Sequence, residues 1–210
     1  MHPGYQHTAH SIYIAGLLEA CLRRDIRRLI LTMPPRHGKT ANVSVWFPAW
    51  VLGTSLHEKV IMASYGAELA EFNSGKIQDV LRNPAWPWPA IGISYEHRAK
   101  SHWETNVGGM VHACGVGGPI PGFGANILLI DDPIKGREQA DSEAQRDNAW
   151  EWYTTSARTR LEDDGVIILC LTRWHEDDLV GRILQSPGAG DWMVVNLPAY
   201  AEENDPLGRE

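Results

Sequence analysis

A mainly parallel α/β fold is predicted by three observations. Short apolar runs alternate along the chain with stretches of helical periodicity. One run, 29–33, ends in Pro34-Pro35 and leads through Gly38-Lys39-Thr40 into a helix-like segment, so strand, tight loop and helix follow one another there. A second run, Ile127-Leu128-Leu129-Ile130, is apolar throughout, as a central strand covered on both faces must be, and it ends in Asp131-Asp132.

Taken in order, 11–24 reads as a helix and 29–33 as a buried strand. Val43, Trp46, Phe47, Trp50 and Val51 recur at helical spacing, and Pro48 inside that pattern predicts a kink or break; Gly53 closes the segment. Residues 59–64 form a second strand, and Leu69, Phe72, Ile77, Val80 and Leu81 mark a second helix stopped by Asn83-Pro84. From 84 to 124 the chain reads as irregular, with one strand within 107–116. Ser142 with Gln145 resembles a capping box, and Trp150, Tyr153, Ala157 and Leu161 give the next helix an apolar stripe. A continuous apolar strand over 165–172, a helix over 177–185 and a last strand over 192–197 complete the pattern.

At 210 residues the chain accommodates one α/β domain, and two would be crowded. A hydrophobic fraction of 43% with 21% charged residues is that of a soluble globular protein. Cys21, Cys114 and Cys170 lie far apart without paired metal-ligand spacing, which suits reduced thiols in a cytosolic compartment. The longest apolar runs, such as 166–171, are too short to span a membrane, and the N-terminus lacks a signal-peptide pattern, so an intracellular protein is expected. A net charge of −7 argues against a dedicated high-affinity DNA grip by this chain alone. The basic cluster Arg23, Arg24, Arg27 and Arg28 and the acidic stretch 138–178 both read as solvated helix faces.

The chemistry gathers at three places. A phosphate cradle needs backbone N–H groups converging at a helix N-terminus, where the dipole also favours negative charge. Pro34 and Pro35 cannot donate, so the donors are His37, Gly38, Lys39 and Thr40 with help from Arg36; the nucleotide-binding set is Pro35, Arg36, His37, Gly38, Lys39 and Thr40. Lys39 would reach the β/γ-phosphates and the Thr40 hydroxyl would ligand Mg²⁺. Met33 stands where G-x-x-x-x-G-K-[ST] has its first glycine. Lys39 is expected to be an exposed loop charge whose removal costs little stability. Arg36 either senses the γ-phosphate in cis or pairs with a nearby carboxylate. Asp131 suits the metal, and Asp132 suits orientation or deprotonation of the attacking water. Thr172, at the end of the 165–172 strand, can touch the γ-phosphate or that water, and its simpler reading is a cap at a strand-to-helix turn. His175-Glu176-Asp177-Asp178 reads as an acidic helix N-terminus, and His7 with His10 as a surface pair.

These residues together resemble the ATPase domain of phage terminase large subunits, the motors that package viral DNA. The resemblance rests on Pro34-Pro35-Arg36-His37-Gly38-Lys39-Thr40, on 129–135 (LIDDPIK), on 171–179 (LTRWHEDDL), and on 115–124 and 150–161. It implies a RecA-like P-loop NTPase of the additional-strand type, with Lys39 and Thr40 in Walker A, Asp131 and Asp132 in Walker B, and Thr172 in the coupling motif. Asp132 stands where many ATPases have Glu. It also implies ATP and Mg²⁺ as cofactors, double-stranded DNA as the translocated partner, a homo-oligomeric ring, portal and small-terminase partners, and the host cytoplasm. The ATPase domain is expected at 1–197, with 198–210 starting a linker toward a nuclease domain, so no DNA cleavage is expected of this chain. In a ring, an arginine from the next protomer is expected to act in trans, with Arg137, Arg158 and Arg160 as candidates. Tyr5-Gln6 is a candidate adenine contact. The alternatives are another P-loop nucleic-acid motor, such as a helicase, and a non-hydrolysing ATP-binding assembly module.

Overall fold

In the computed structural model, residues 8–120, 122, 124–202 and 205–209 are described. They fold as α1 (Ala9–Leu22), β1 (Arg28–Thr32), a π-helical stretch (Ala41–Trp46) running into α2 (Phe47–Thr54), β2 (Lys59–Ser64), α3 (Ala67–Arg82), β3 (Ile93–Ala99), β4 (His102–Thr105) and β5 (Met110–Gly115). There follow β6 (Ala125–Asp131), α4 (Arg137–Asp141), α5 (Glu143–Trp152), β7 (Leu161–Leu171), α6 (Leu179–Gln185) and β8 (Met193–Asn196).

The strands join one sheet in the order β3-β4-β5-β2-β6-β7-β1-β8. All pairings from β5 to β8 are parallel, and β3 and β4 extend the sheet antiparallel beyond β5. The central strands are apolar throughout because each face has its own core. Leu29, Leu31, Val60, Met62, Ile127 and Leu129 pack with α1, α2 and α3, whereas Ile30, Ile61, Leu128, Ile130, Ile167 and Leu169 pack with α5 and α6. The alternation is the period of two that a pleated strand imposes. Parallel register then brings the C-terminal ends of β1, β6 and β7 to one edge. There the Met33 N–H donates to the Leu171 carbonyl (3.2 Å) and the Asp132 N–H to the Cys170 carbonyl (2.9 Å).

Several expectations are corrected. Of the kink or break expected at Pro48, the break is absent, and the helical path continues to Thr54. The helix widens into π turns over Ala41–Trp46, the Phe47 N–H reaching the Asn42 carbonyl, so the rearranged ladder lies just before the residue that has no N–H to give. Ser142 caps α5 by backbone alone, without the side-chain bond of a capping box. The segment 84–124 contains β3 and β4 as well as β5. Arg23 and Arg24 lie in the turn after α1, while Arg28 opens β1, so these residues share no helix face; Arg24 pairs with Glu58 at 2.7 Å. In the acidic stretch, Asp177 binds Arg146 (3.0 Å) and Arg182 (2.8 Å) instead of only facing water. Apart from these corrections, Leu207 packs against the first core and Arg209 donates to the Pro198 carbonyl at 2.8 Å. Among the described residues no helix is long and apolar enough to cross a membrane.

Candidate active site

The loop between β1 and the following helix alternates in backbone sign. Arg36 (φ 64°) and Gly38 (φ 81°) lie in the left-handed region, while Pro35, His37 and Lys39 do not. Such alternation turns successive N–H groups toward one concavity, which is an anion-binding geometry. At position 38 glycine adopts this φ without the penalty a Cβ brings. The helix begins at Lys39, so its unsatisfied N–H groups face the same place.

Lys39 is not the exposed charge that the sequence suggests. It is 7% exposed, its ammonium contacts the Asp132 carboxylate, and Asp131 Oδ1 stands 3.9 Å away. Burial works against its charge, yet the two carboxylates outweigh burial and raise its pKa. Asp131 closes β6 and is 2% exposed. Burial pushes its carboxyl above the ordinary range, against the pull of Lys39 and of the Ser44 and Thr40 hydroxyls. Its Oδ2 accepts from the Ser44 hydroxyl at 2.7 Å, and among the described residues its buried Oδ1 has no hydrogen-bond partner. Asp132, one residue on, is in the left-handed region (φ 47°), which turns its carboxylate away from the core to 28% exposure. Asp132 accepts the Thr172 N–H on Oδ1 (3.1 Å), and the Thr172 hydroxyl donates to the Met33 carbonyl (3.1 Å). Loop, β6 tip and β7 tip are thereby tied together through Thr172.

Lys39, Asp131, Asp132 and Thr172 therefore converge. Thr172 meets the other two tips through its backbone and hydroxyl, and its hydroxyl is committed to Met33. Ser44 was missed by sequence reasoning. The available signal was its spacing, one turn beyond Thr40 on the helix that leaves the loop. Arg36 is exposed, and among the described residues its side chain has no ionic or hydrogen-bond partner. Arg158 and Arg160 precede β7 and so lie at the opposite end of that strand from Thr172. Arg137 opens α4, shortly after Asp132. Asp178 caps α6 by accepting the Gly181 N–H (2.9 Å), in line with an acidic helix start. Tyr5, Gln6 and His7 lie outside the described residues.

The donor set fits a hard divalent cation: a buried carboxylate oxygen without a hydrogen-bond partner, on the same carboxylate that interacts with the Thr40 hydroxyl. The arrangement can hold an anionic chain in the loop and a water beside Asp132. The family described as "Terminase large subunit, T4likevirus-type, N-terminal" matches residues 30–209. No curated protein matches the sequence. Among solved structures, the large terminase of bacteriophage HK97 superposes with a TM-score of 0.62 at 13% identity, over 94% of this chain and 41% of that one. The large terminase of a thermophilic bacteriophage gives 0.59 at 14% identity, over 91% and 46%. The large terminase ATPase domain of Thermus phage P74-26 gives 0.60 at 12% identity, over 88% and 83%. The second of these three proteins has also been solved with ADP and with ATP-gamma-S. The chain thus spans less than half the length of the first two of these proteins, and at these identities the likeness establishes the fold.

Proposed function

The chain belongs to the T4-like-virus type of terminase large subunits, matching their N-terminal part, and from that premise we propose that it is a Mg²⁺-dependent ATPase coupling hydrolysis to movement of double-stranded DNA. The observation that carries this reading is the enclosure of Lys39 by Asp131 and Asp132, at the mouth of a loop built to hold an anion. Assignment to the RecA-like, additional-strand type is supported by β7, which stands between the loop strand β1 and the carboxylate strand β6.

In this reading the N–H groups of residues 36–40 and the Lys39 ammonium hold the phosphates of ATP. Thr40 and Asp131 would hold Mg²⁺, which supplies neutralisation of the phosphate oxygens. Asp132 orients the attacking water and takes its proton, and the Thr172 N–H keeps that carboxylate in place. Arg36, extended from the loop, stabilises charge on the transferred phosphoryl group in cis. Positioning and charge neutralisation carry the reaction, with no covalent intermediate.

The ATPase domain is proposed to cover 1–197. A homo-oligomeric ring, portal and small-terminase partners and the host cytoplasm belong to the same proposal, as does the action of an arginine from a neighbouring protomer. Phosphate release from Mg·ATP by the purified chain tests it. Wild type is expected to turn over and folded Lys39→Ala is not; equal rates for the two would refute the assignment.

A further inference from the structure

We propose that His10, on α1, is a positioning residue that sets the phosphate loop for anions by holding the His37 carbonyl. This rests on the reading of residues 33–40 as that loop. His10 Nε2 lies 3.1 Å from the His37 carbonyl oxygen, with the two rings edge to face at 6.4 Å. A carbonyl can only accept, so the contact selects the tautomer with hydrogen on Nε2.

The consequence follows from peptide geometry. The C=O and N–H of one trans peptide point in opposite directions, so holding the oxygen aims the hydrogen. Three peptides of the loop are held this way. The His37 ring donates from Nδ1 to the Pro35 carbonyl (2.8 Å), which fixes the Arg36 N–H. Asn42 holds the Gly38 carbonyl through its backbone (3.0 Å) and its side-chain amide (2.9 Å), which fixes the Lys39 N–H. His10 holds the peptide between them and so aims the Gly38 N–H. Glycine on its C-terminal side makes that peptide the easiest of the three to flip, because Gly38 tolerates either sign of φ. A flipped peptide presents a carbonyl oxygen to the phosphate in place of a donor. Of these three restraints, two come from the loop and its own helix and one, His10, from a separate element.

The test compares His10→Gln with His10→Met in the full chain. Both side chains have similar length and flexibility, and only the amide can donate to the His37 carbonyl. Equilibrium binding of a fluorescent ATP analogue with Mg²⁺ is read beside thermal melting and turnover. His10→Met is expected to weaken binding by about tenfold, with kcat at saturating nucleotide nearly unchanged, and His10→Gln to stay near wild type. His10→Ala should lose affinity like His10→Met, which covers the case in which methionine disturbs α1. Lys39→Ala separates this idea from the one beneath it. If Lys39→Ala abolishes binding while His10→Met and His10→Ala, at unchanged melting temperature, bind like wild type, the role of His10 is overturned. If Lys39→Ala also binds like wild type, the phosphate-loop reading itself falls.

Discussion

The ammonium of Lys39 sits against the carboxylate of Asp132, so the cation proposed for phosphate and the acid proposed for water share one contact. In the proposed reading, a phosphate chain entering the loop would compete with Asp132 for Lys39. That event would release one carboxylate oxygen, while the Thr172 N–H retains the other.

That enclosure predicts that Lys39→Ala loses stability, contrary to the expectation for an exposed loop charge. Removal leaves two neighbouring carboxylates, one of them buried, without their shared cation. A cost of about 1–3 kcal/mol is expected, read as a lower melting temperature in thermal denaturation. A melting temperature equal to wild type would mean that the pair contributes nothing to folding.

Ser44→Ala removes the donor to Asp131 Oδ2, inside the body of the protein. A carboxylate free to rotate should hold Mg²⁺ less well, so the Mg²⁺ concentration giving half-maximal turnover should rise several-fold, on the order of the 10-fold lower bound for support of a metal ligand. Superimposable Mg²⁺ titrations of variant and wild type would show that Ser44 does not position Asp131.

All three cysteines are buried. Burial pushes the Cys21 thiol up to about 12 and the Cys114 thiol up to about 11, and it raises Cys170 well above its ordinary range. Since the thiolate is the reactive form, the native protein should give almost no thiol titre at pH 8, and the full titre after denaturation. Rapid labelling of any cysteine in the native state would contradict the packing described.

Much of this site was legible in the sequence because its parts are local: a Pro-Pro turn, Gly38-Lys39-Thr40 opening a helix, and two carboxylates ending an apolar run. The remainder depends on non-local placement. Nothing in 161–171 announces that β7 lies between β1 and β6, although that insertion is what brings Thr172 to Asp132. Burial of Lys39 was hidden because it arises from the tip of a strand far along the chain. The β3–β4 hairpin escaped notice because β3 is an edge strand with most of its residues exposed, including Tyr95 at 90%, so it carries no buried alternation. The π turns before Pro48 have no periodicity of their own to read.

Placement also ranks the candidate trans arginines. Arg137 shares the edge of the sheet that carries Asp132, whereas Arg158 and Arg160 lie at the far end of β7. Turnover per subunit should rise with protein concentration, and Arg137→Ala should reduce that rise by a factor on the order of 10³ if it is the inserted cation. The readout is turnover against concentration in mixtures of each arginine variant with Lys39→Ala subunits. Flat rates, unchanged by every arginine substitution, would remove the trans step.

The proposed division of labour between the two carboxylates is measured most directly by Asp132→Asn beside Asp131→Asn. Affinity for Mg·ATP and the rate of phosphate release are determined on the same preparations. Asp132→Asn should bind Mg·ATP like wild type and release phosphate about 10²–10⁴-fold more slowly, because the amide keeps the shape and removes the base. Asp131→Asn should in addition lose the Mg²⁺ dependence of binding. Wild-type hydrolysis by Asp132→Asn, or identical affinities and rates for the two variants, would contradict the account.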